Sequence, residues 1–421
     1  MGPEAIRGRL GPSAPALVMS MSKTTLYASQ VPGSQAVGSG RHRHWPFVVG
    51  AAVFMLAVFV IVASRVSVSD YALVPGDAQP VSHLISLPPA EAHRSKGRVL
   101  LTDVGVNNVS LFGLLEVKLA GGLLDPNTTI VSSEDLTYGL PVSQFDAEGT
   151  VDMEESELTA EAVALRQLGY EVPEEDVGVT VYVVDPGSPA SRVLKVGDVV
   201  SAIDGVPTPN PQVLQSVLRE HRPDEVVTLQ VGSVTRPLPG RSVSLRLGKI
   251  VENHKVVPLI GIGDPNAPIA GMGTQPLYRL PFAVKIDSDQ IGGPSAGLAW
   301  TLGIIDSLSG GGLTGGRTVA ATGTIDPDGT VGAVGGVEQK TVAVERAGAS
   351  VFLVPSQPAQ ELAAARAKAT PGLKVIAVSS LHQALLDLQR LGGRLGRAAA
   401  GPPAGQGGHN VPYDWQQSPW S

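Results

Sequence analysis

Ser295 sits in Gly292-Gly293-Pro294-Ser295-Ala296-Gly297, after the polar turn at 287–290 and before an apolar run that continues to Leu308. A serine at the start of a helix, flanked by residues as small as Gly293, can meet a developing oxyanion with free N–H groups. Its small neighbours also let another backbone approach closely. A plain helix N-cap fits the same hexapeptide. To act as a nucleophile the hydroxyl needs a base. His254 and His382 qualify by type, because the members of a triad meet only in space. Lys340 is the other candidate, and it opens a small-residue helical segment through Ala347. A lysine serves as a base near neutral pH only where burial lowers its pKa from about 10.4 toward about 7–8. Val334, Val337, Val342 and Val344 could supply that apolar pocket; an exposed helical lysine is the ordinary alternative.

These residues need elements to hold them. From Lys249 to about Arg390 strand and helix patterns alternate: VVPLIGI, FAVKID, a helix from Ser295 to Leu308, TVAATGTI, a helix around 340–347, SVFLVP, a helix at 360–369, KVIAVS and a helix near 381–388. That alternation predicts an α/β domain. Upstream, 179–184 reads as a strand, followed by the turn DPGSPA, the strand GDVVSAIDG, a helix at 211–221 after Asn210, and a strand at 225–231 closing near Leu247. This predicts a small β-rich module with one sheet edge open to an extended peptide. Before it, Arg98–Val104 reads as a strand, 111–119 as a helix or second strand, and 155–168 as a helix.

Composition narrows the function classes. The chain has 421 residues and no cysteine, which removes disulfides, Cys-based zinc sites and a Cys nucleophile together. The eight histidines are scattered without a metal-binding spacing, so no metal site is expected. A net charge of −7 without a basic stripe argues against nucleic-acid binding. Pro46–Ala63 is an uncharged apolar run of the length that crosses a bilayer, longer than the core of a cleavable signal peptide. Arg41 and Arg43 precede it and Arg65 stands alone after it, which predicts a cytoplasmic N-terminus and an extracytoplasmic remainder. Met19 or Met21 could be the true start.

The segments IGGPSAGLAWTLGIID, LTGGRTVAATGTIDPDGTVGAVGGVEQKTVAV and AGASVFLVP, in this order and spacing, closely resemble the proteolytic domain of the Lon proteases. More closely still, they look like the membrane-anchored, PDZ-containing Lon-like proteases of bacteria. The resemblance runs from the apolar anchor through YALVPGDAQPV and GVTVYVVDPGSPASRVLKVGDVVSAIDG to Leu388. It implies Ser295 as nucleophile and Lys340 as general base. Thr322, in the TGT turn, matches the threonine that helps position the lysine, and Gly293 supports the serine. The ATP-dependent branch commonly carries an acidic residue three before the serine; here that position is Gly292.

Gly311–Thr318 is one residue away from a phosphate-binding loop, with Arg317 where the lysine would stand, and no hydrophobic strand precedes it. The expectation is therefore a serine endopeptidase that needs neither ATP nor another cofactor and cuts unfolded or loosely structured proteins. Val177-Gly178-Val179 loosely matches the φ-G-φ carboxylate-binding loop of PDZ domains, which would bind peptide substrates or gate the site. The resemblance also implies a homo-oligomer, with a hexameric ring as the expectation. A non-catalytic PDZ scaffold at the membrane and a soluble secreted protease are the alternatives.

The expected organisation is a disordered tail at 1–44, a transmembrane helix at 46–64 and a tether at 66–96. An α/β segment at 97–158 follows and is expected to pack on the protease domain. A PDZ domain at 159–248, inserted in it, precedes the Lon-like α/β domain at 249–390, with a disordered tail at 391–421.

Overall fold

A computed structural model describes residues 45–120, 127–252, 254–263, 271–288 and 291–396; the expectations for 1–44 and for the tail beyond residue 396 lie outside them. The described residues divide into two units, one ending at Val58 and the other beginning at Phe59. Helix α1 (Trp45–Arg65) runs from the first into the second, and Phe47–Arg65 has a mean hydropathy of 2.8.

The next elements are strands β1 (Ser67–Pro80), β2 (Ile85–Ser86) and β3 (Arg98–Ser110), then helix α2 (Leu111–Ala120). Strand β4 (Thr129–Ser132) and helices α3 (Ser133–Thr137) and α4 (Val142–Gln167) complete this part. The stretch expected as a tether is thus largely a strand: β1 lies between β3 and β4 in the main sheet. Pro75 falls where the β1–β3 register shifts, and a bulge is where a sheet tolerates a residue without an N–H. Helix α4 begins well before the apolar periodicity at 155–168 and crosses the expected domain boundary at 158.

The β-rich module holds β5 (Glu174–Val181), β6 (Asp198–Ile203), β7 (Val206–Pro207), α5 (Pro211–Leu218), β8 (Val226–Ser233) and β9 (Arg236–Arg246). The hairpin β10 (Gly248–Glu252) and β11 (Lys255–Leu259) and strand β12 (Met272–Tyr278) follow. The sheet order is β12-β5-β6-β8-β9, with β7 beside β6. β12 therefore belongs to this sheet, although the sequence reading ended the module at 248. Val179, Val181, Val200, Ile203, Leu229, Val231 and Leu247 form its own buried core.

The remaining elements are β13 (Lys285–Ile286), α6 (Gly297–Leu308), β14 (Thr318–Ala321), β15 (Thr324–Ile325), β16 (Val331–Gly332) and α7 (Val337–Arg346). β17 (Val351–Pro355), α8 (Ala359–Lys368), β18 (Lys374–Val378) and α9 (Leu381–Arg390) end the fold. The main sheet runs β18-β17-β14-β3-β1-β4, parallel from β18 through β3 and antiparallel at β1 and β4. Arg98–Ser110 is thus a central strand of the sheet that carries the C-terminal α/β elements, and the β-rich module is inserted between α4 and α6.

All twelve residues of α6 are buried, with Trp300, Leu298, Leu302 and Ile305 fully inside one core cluster. Such a helix can sit between sheet and α4 only if it is narrow where they touch. A Cβ on Gly297 would lie 2.9 Å from both the Ile325 backbone nitrogen and the Ser156 hydroxyl. That close approach brings α4 against the segment carrying Ser295.

Candidate active site

Ser295 lies in a 3-10 turn, Pro294–Ala296, that leads into α6. It is not the N-cap of the helix; that place falls to Ala296, which makes no side-chain cap. The turn is entered through Gly293 at φ 83°, a left-handed conformation that glycine adopts without strain. Two bonds from α4 hold the entry: Gly293 N–H donates to the Gly149 carbonyl at 2.7 Å, and the Ser156 hydroxyl to the Pro294 carbonyl at 3.2 Å. Two more hold Ser295 itself, both through its carbonyl, which accepts from Gly323 N–H at 2.9 Å and from the Thr322 hydroxyl at 3.2 Å. The hydroxyl of Ser295 takes no part in these four bonds, and the residue is partly exposed.

Lys340 is on the first turns of α7, 3% exposed, and its Nζ donates to Thr322 Oγ1 at 3.2 Å. Thr322 thus touches the lysine and the serine's main chain at once. Val337 and Val344 are fully buried and Val334 partly so in the cluster around α7; Val342 does not join them. Burial holds the Lys340 ammonium well below its ordinary range, at about 8, against the opposing pull of Asp103 and Glu361. Asp103, on β3, is raised, first by burial; the Asp77 charge adds to the rise, while the Asp77 N–H and Lys340 oppose it. Asp77 N–H donates to Asp103 Oδ1 at 2.7 Å.

His254 sits at the β10–β11 turn and His382 at the start of α9, and both are exposed. Among the described residues, neither is joined by a hydrogen bond or ion pair to Ser295, Thr322 or Lys340. Lys340, Thr322, Gly293 and Ser295 are brought into one neighbourhood. Val177, Gly178 and Val179 are not: β5 is flanked by β6 on one side and β12 on the other, so its backbone has no free edge for a peptide. A second φ-G-φ sequence, Ile260-Gly261-Ile262, lies instead along a groove against α5, with Leu214, Leu218 and Met272 beside it.

The sequence reading missed Gly149, Ser156 and Asp103. Gly149 lies just before the helical pattern at 155–168 and Ser156 within it, and Asp103 interrupts the apolar run RVLLTDV, where a charge is itself a signal. The same helix α4 carries carboxyls lifted by burial: Asp152 to about 6, with Glu148 and Glu155 adding, and Glu157 to about 7. Glu161 is lifted well above its usual range by burial.

The proteolytic-domain model of the Lon protease family (its C-terminal, S16-type domain) matches residues 289–389, which contain Ser295, Thr322 and Lys340. This chain carries a Lon-type proteolytic domain. A PDZ-domain model matches residues 166–233, within the inserted module. Over 92 residues the chain is 36% identical to the Lon protease of Chloroflexus aggregans, which is 22% of this chain and 11% of that protein's length. The PDZ domains of SdrC-like proteins from Listeria monocytogenes and Listeria innocua are 23% and 24% identical. Each covers 20% of this chain, over 85% and 90% of the solved domains, with TM-scores of 0.18. The Lon-type domain is of the serine-peptidase class, and the chain pairs it with a PDZ domain.

The Ser156 hydroxyl, bonded to the Pro294 carbonyl, helps hold the turn that carries Ser295. Its bond to Pro294 is worth about 1 kcal/mol, so Ser156→Ala should lower kcat about fivefold. KM should stay unchanged in steady-state peptide hydrolysis if the hydroxyl acts only through its bond to the Pro294 carbonyl.

Proposed function

We propose that the protein is a membrane-anchored, ATP-independent serine endopeptidase working through Ser295 and Lys340. The single observation that carries this reading is the buried Lys340 amine, held near pKa 8 and linked through Thr322 to the Ser295 carbonyl. Neutral Lys340 takes the hydroxyl proton as Ser295 Oγ attacks the peptide carbonyl, and the same group then protonates the leaving amine. The Ser295 amide, at the N-terminal end of its helical turn, supplies a donor to the oxyanion. Water hydrolyses the acyl-enzyme by the reverse sequence of proton transfers.

Independence from ATP is supported by the glycine-rich turn at 311–318, whose backbone is already engaged. Leu313 N–H donates to Asp306 Oδ1 at 2.8 Å, while the Gly311 and Gly312 carbonyls accept from Lys96 and Arg394. A carboxylate thus occupies a donor that a phosphate would need. The length and apolarity of α1 support anchoring, and the flanking charges support an extracytoplasmic site. The groove between α5 and Ile260–Ile262 suits an extended peptide, by which the PDZ domain delivers substrates or gates the protease. The Lon resemblance supports a homo-oligomer, with a ring as the expected arrangement.

The test is cleavage of casein by the full chain in detergent, with and without ATP and magnesium. Equal cleavage in both supports the reading. Strong stimulation by ATP contradicts its nucleotide half, and absence of cleavage under both conditions contradicts the whole.

A further inference from the structure

The residue that leaves α1 is joined to the start of α2. Val66 separates α1 from β1, and the β1–β3 ladder ends at the pair Ser67–Ser110. Leu111 N–H then donates to the Val66 carbonyl at 2.7 Å, and Val66 N–H in turn to the Val62 carbonyl at 3.2 Å. The first residue of α2 is therefore one hydrogen bond from the end of the apolar helix.

The composition of α2 is unusual for a surface helix. Its ten residues, LFGLLEVKLA, carry one glutamate and one lysine, and the apolar residues fall all round the helix without a polar face. A helix apolar on every side belongs in the core of a large protein or in lipid. Yet Leu111–Leu115 are only partly buried against the protein. At 1.5 Å per residue α2 is about 15 Å long, half of what spans a bilayer. Too short to span, such a helix can still bury its leucines in the apolar edge of a leaflet by lying along the bilayer surface.

We infer that α2 is an interfacial membrane helix, docked on lipid beside the exit of α1. The inference rests on the reading of α1 as a membrane span, because that reading puts Val66 at the bilayer surface. Glu116 and Lys118 cancel, so the partner is the apolar boundary of the leaflet and no particular headgroup charge is required. The protein would then touch the membrane at two places, which restricts rotation of the protease domain about its anchor.

The absence of cysteine makes single-site labelling clean. Leu115→Cys and Leu114→Cys in the full chain, with Phe54→Cys in α1 and Asp328→Cys in an exposed turn as controls, would carry nitroxide labels in phosphatidylcholine discs. Collision with oxygen and with a water-soluble nickel chelate reports depth. The expected result is that Leu114 and Leu115 resemble Phe54, open to oxygen and shielded from nickel, equally so when phosphatidylglycerol is added. Shielding at Phe54 with free nickel access at both α2 sites overturns the inference and leaves the anchor standing. Protection of α2 from both relaxants means that protein, such as a second copy, covers it, which also overturns the inference. Nickel access at Phe54 removes the anchor reading, and this inference with it.

Discussion

Ser295→Ala should lower kcat/KM for peptide hydrolysis by at least about 10⁴-fold, the scale on which removal of a serine nucleophile acts. Little stability should be lost with it. The four hydrogen bonds that hold the turn use the Gly293 amide and the Pro294 and Ser295 carbonyls, and none uses the Ser295 hydroxyl. A surface-accessible serine outside such bonds changes stability by about 0.5 kcal/mol or less. Initial rates on a fluorogenic peptide and thermal melts of the same samples read both quantities. An active alanine variant would move the nucleophile elsewhere. An inactive but unfolded one would mean that the hydroxyl is structural.

Lys340→Met should separate activity from stability in the opposite sense. Loss of the base should cost kcat about 10³-fold or more, as general-base catalysis and nucleophile activation fail together. Stability at pH 7 should rise. An unfolded lysine titrates near 10.4, whereas Lys340 titrates at about 8 in the fold. Below about pH 8 both states are protonated, and the native chain bears the full cost of a buried ammonium. As pH rises toward 10.4 the unfolded chain also loses its proton and the cost vanishes. A gap of that size corresponds to about 3 kcal/mol, and methionine, apolar and of similar length, should recover about 1–3 kcal/mol of it at pH 7. Denaturant titrations at pH 7 and pH 10 check this: the advantage of the variant should be present at the lower pH and shrink at the higher.

The two principal residues were legible because each carries a local signal. Ser295 stands in a glycine-rich break before a largely apolar helix, and Lys340 stands among valines. Their fit to a Lon-type domain came from long motifs and not from periodicity. What holds them was less legible, since it is made by contacts distant in sequence. Ser156 meets Pro294 across 138 residues, and Lys340 meets Thr322 across 18. Strand β1 reads as a tether because Pro75, Gly76 and Pro80 mask its pattern; it is a strand because β3 and β4 pair with it on both sides. The start of α4 shows no clear helical periodicity, and partners distant in sequence hold it: Gln144 donates to the Val184 carbonyl, the Gly149 carbonyl accepts from Gly293, and Val151 is buried with Val199 and Val234. The φ-G-φ sequence occurs at 177–179 and again at 260–262, and only the sheet order tells the enclosed copy from the one beside a groove.

The pH dependence of kcat/KM for an unstructured peptide, measured on the full chain without ATP, tests the role of Lys340 most directly. The account predicts a rate that rises tenfold per pH unit and levels off above a single ionisation near 8, the value burial gives Lys340. A rate governed by a group near 6.5, the range of histidine, or one that survives Lys340→Met with the same profile, would contradict it.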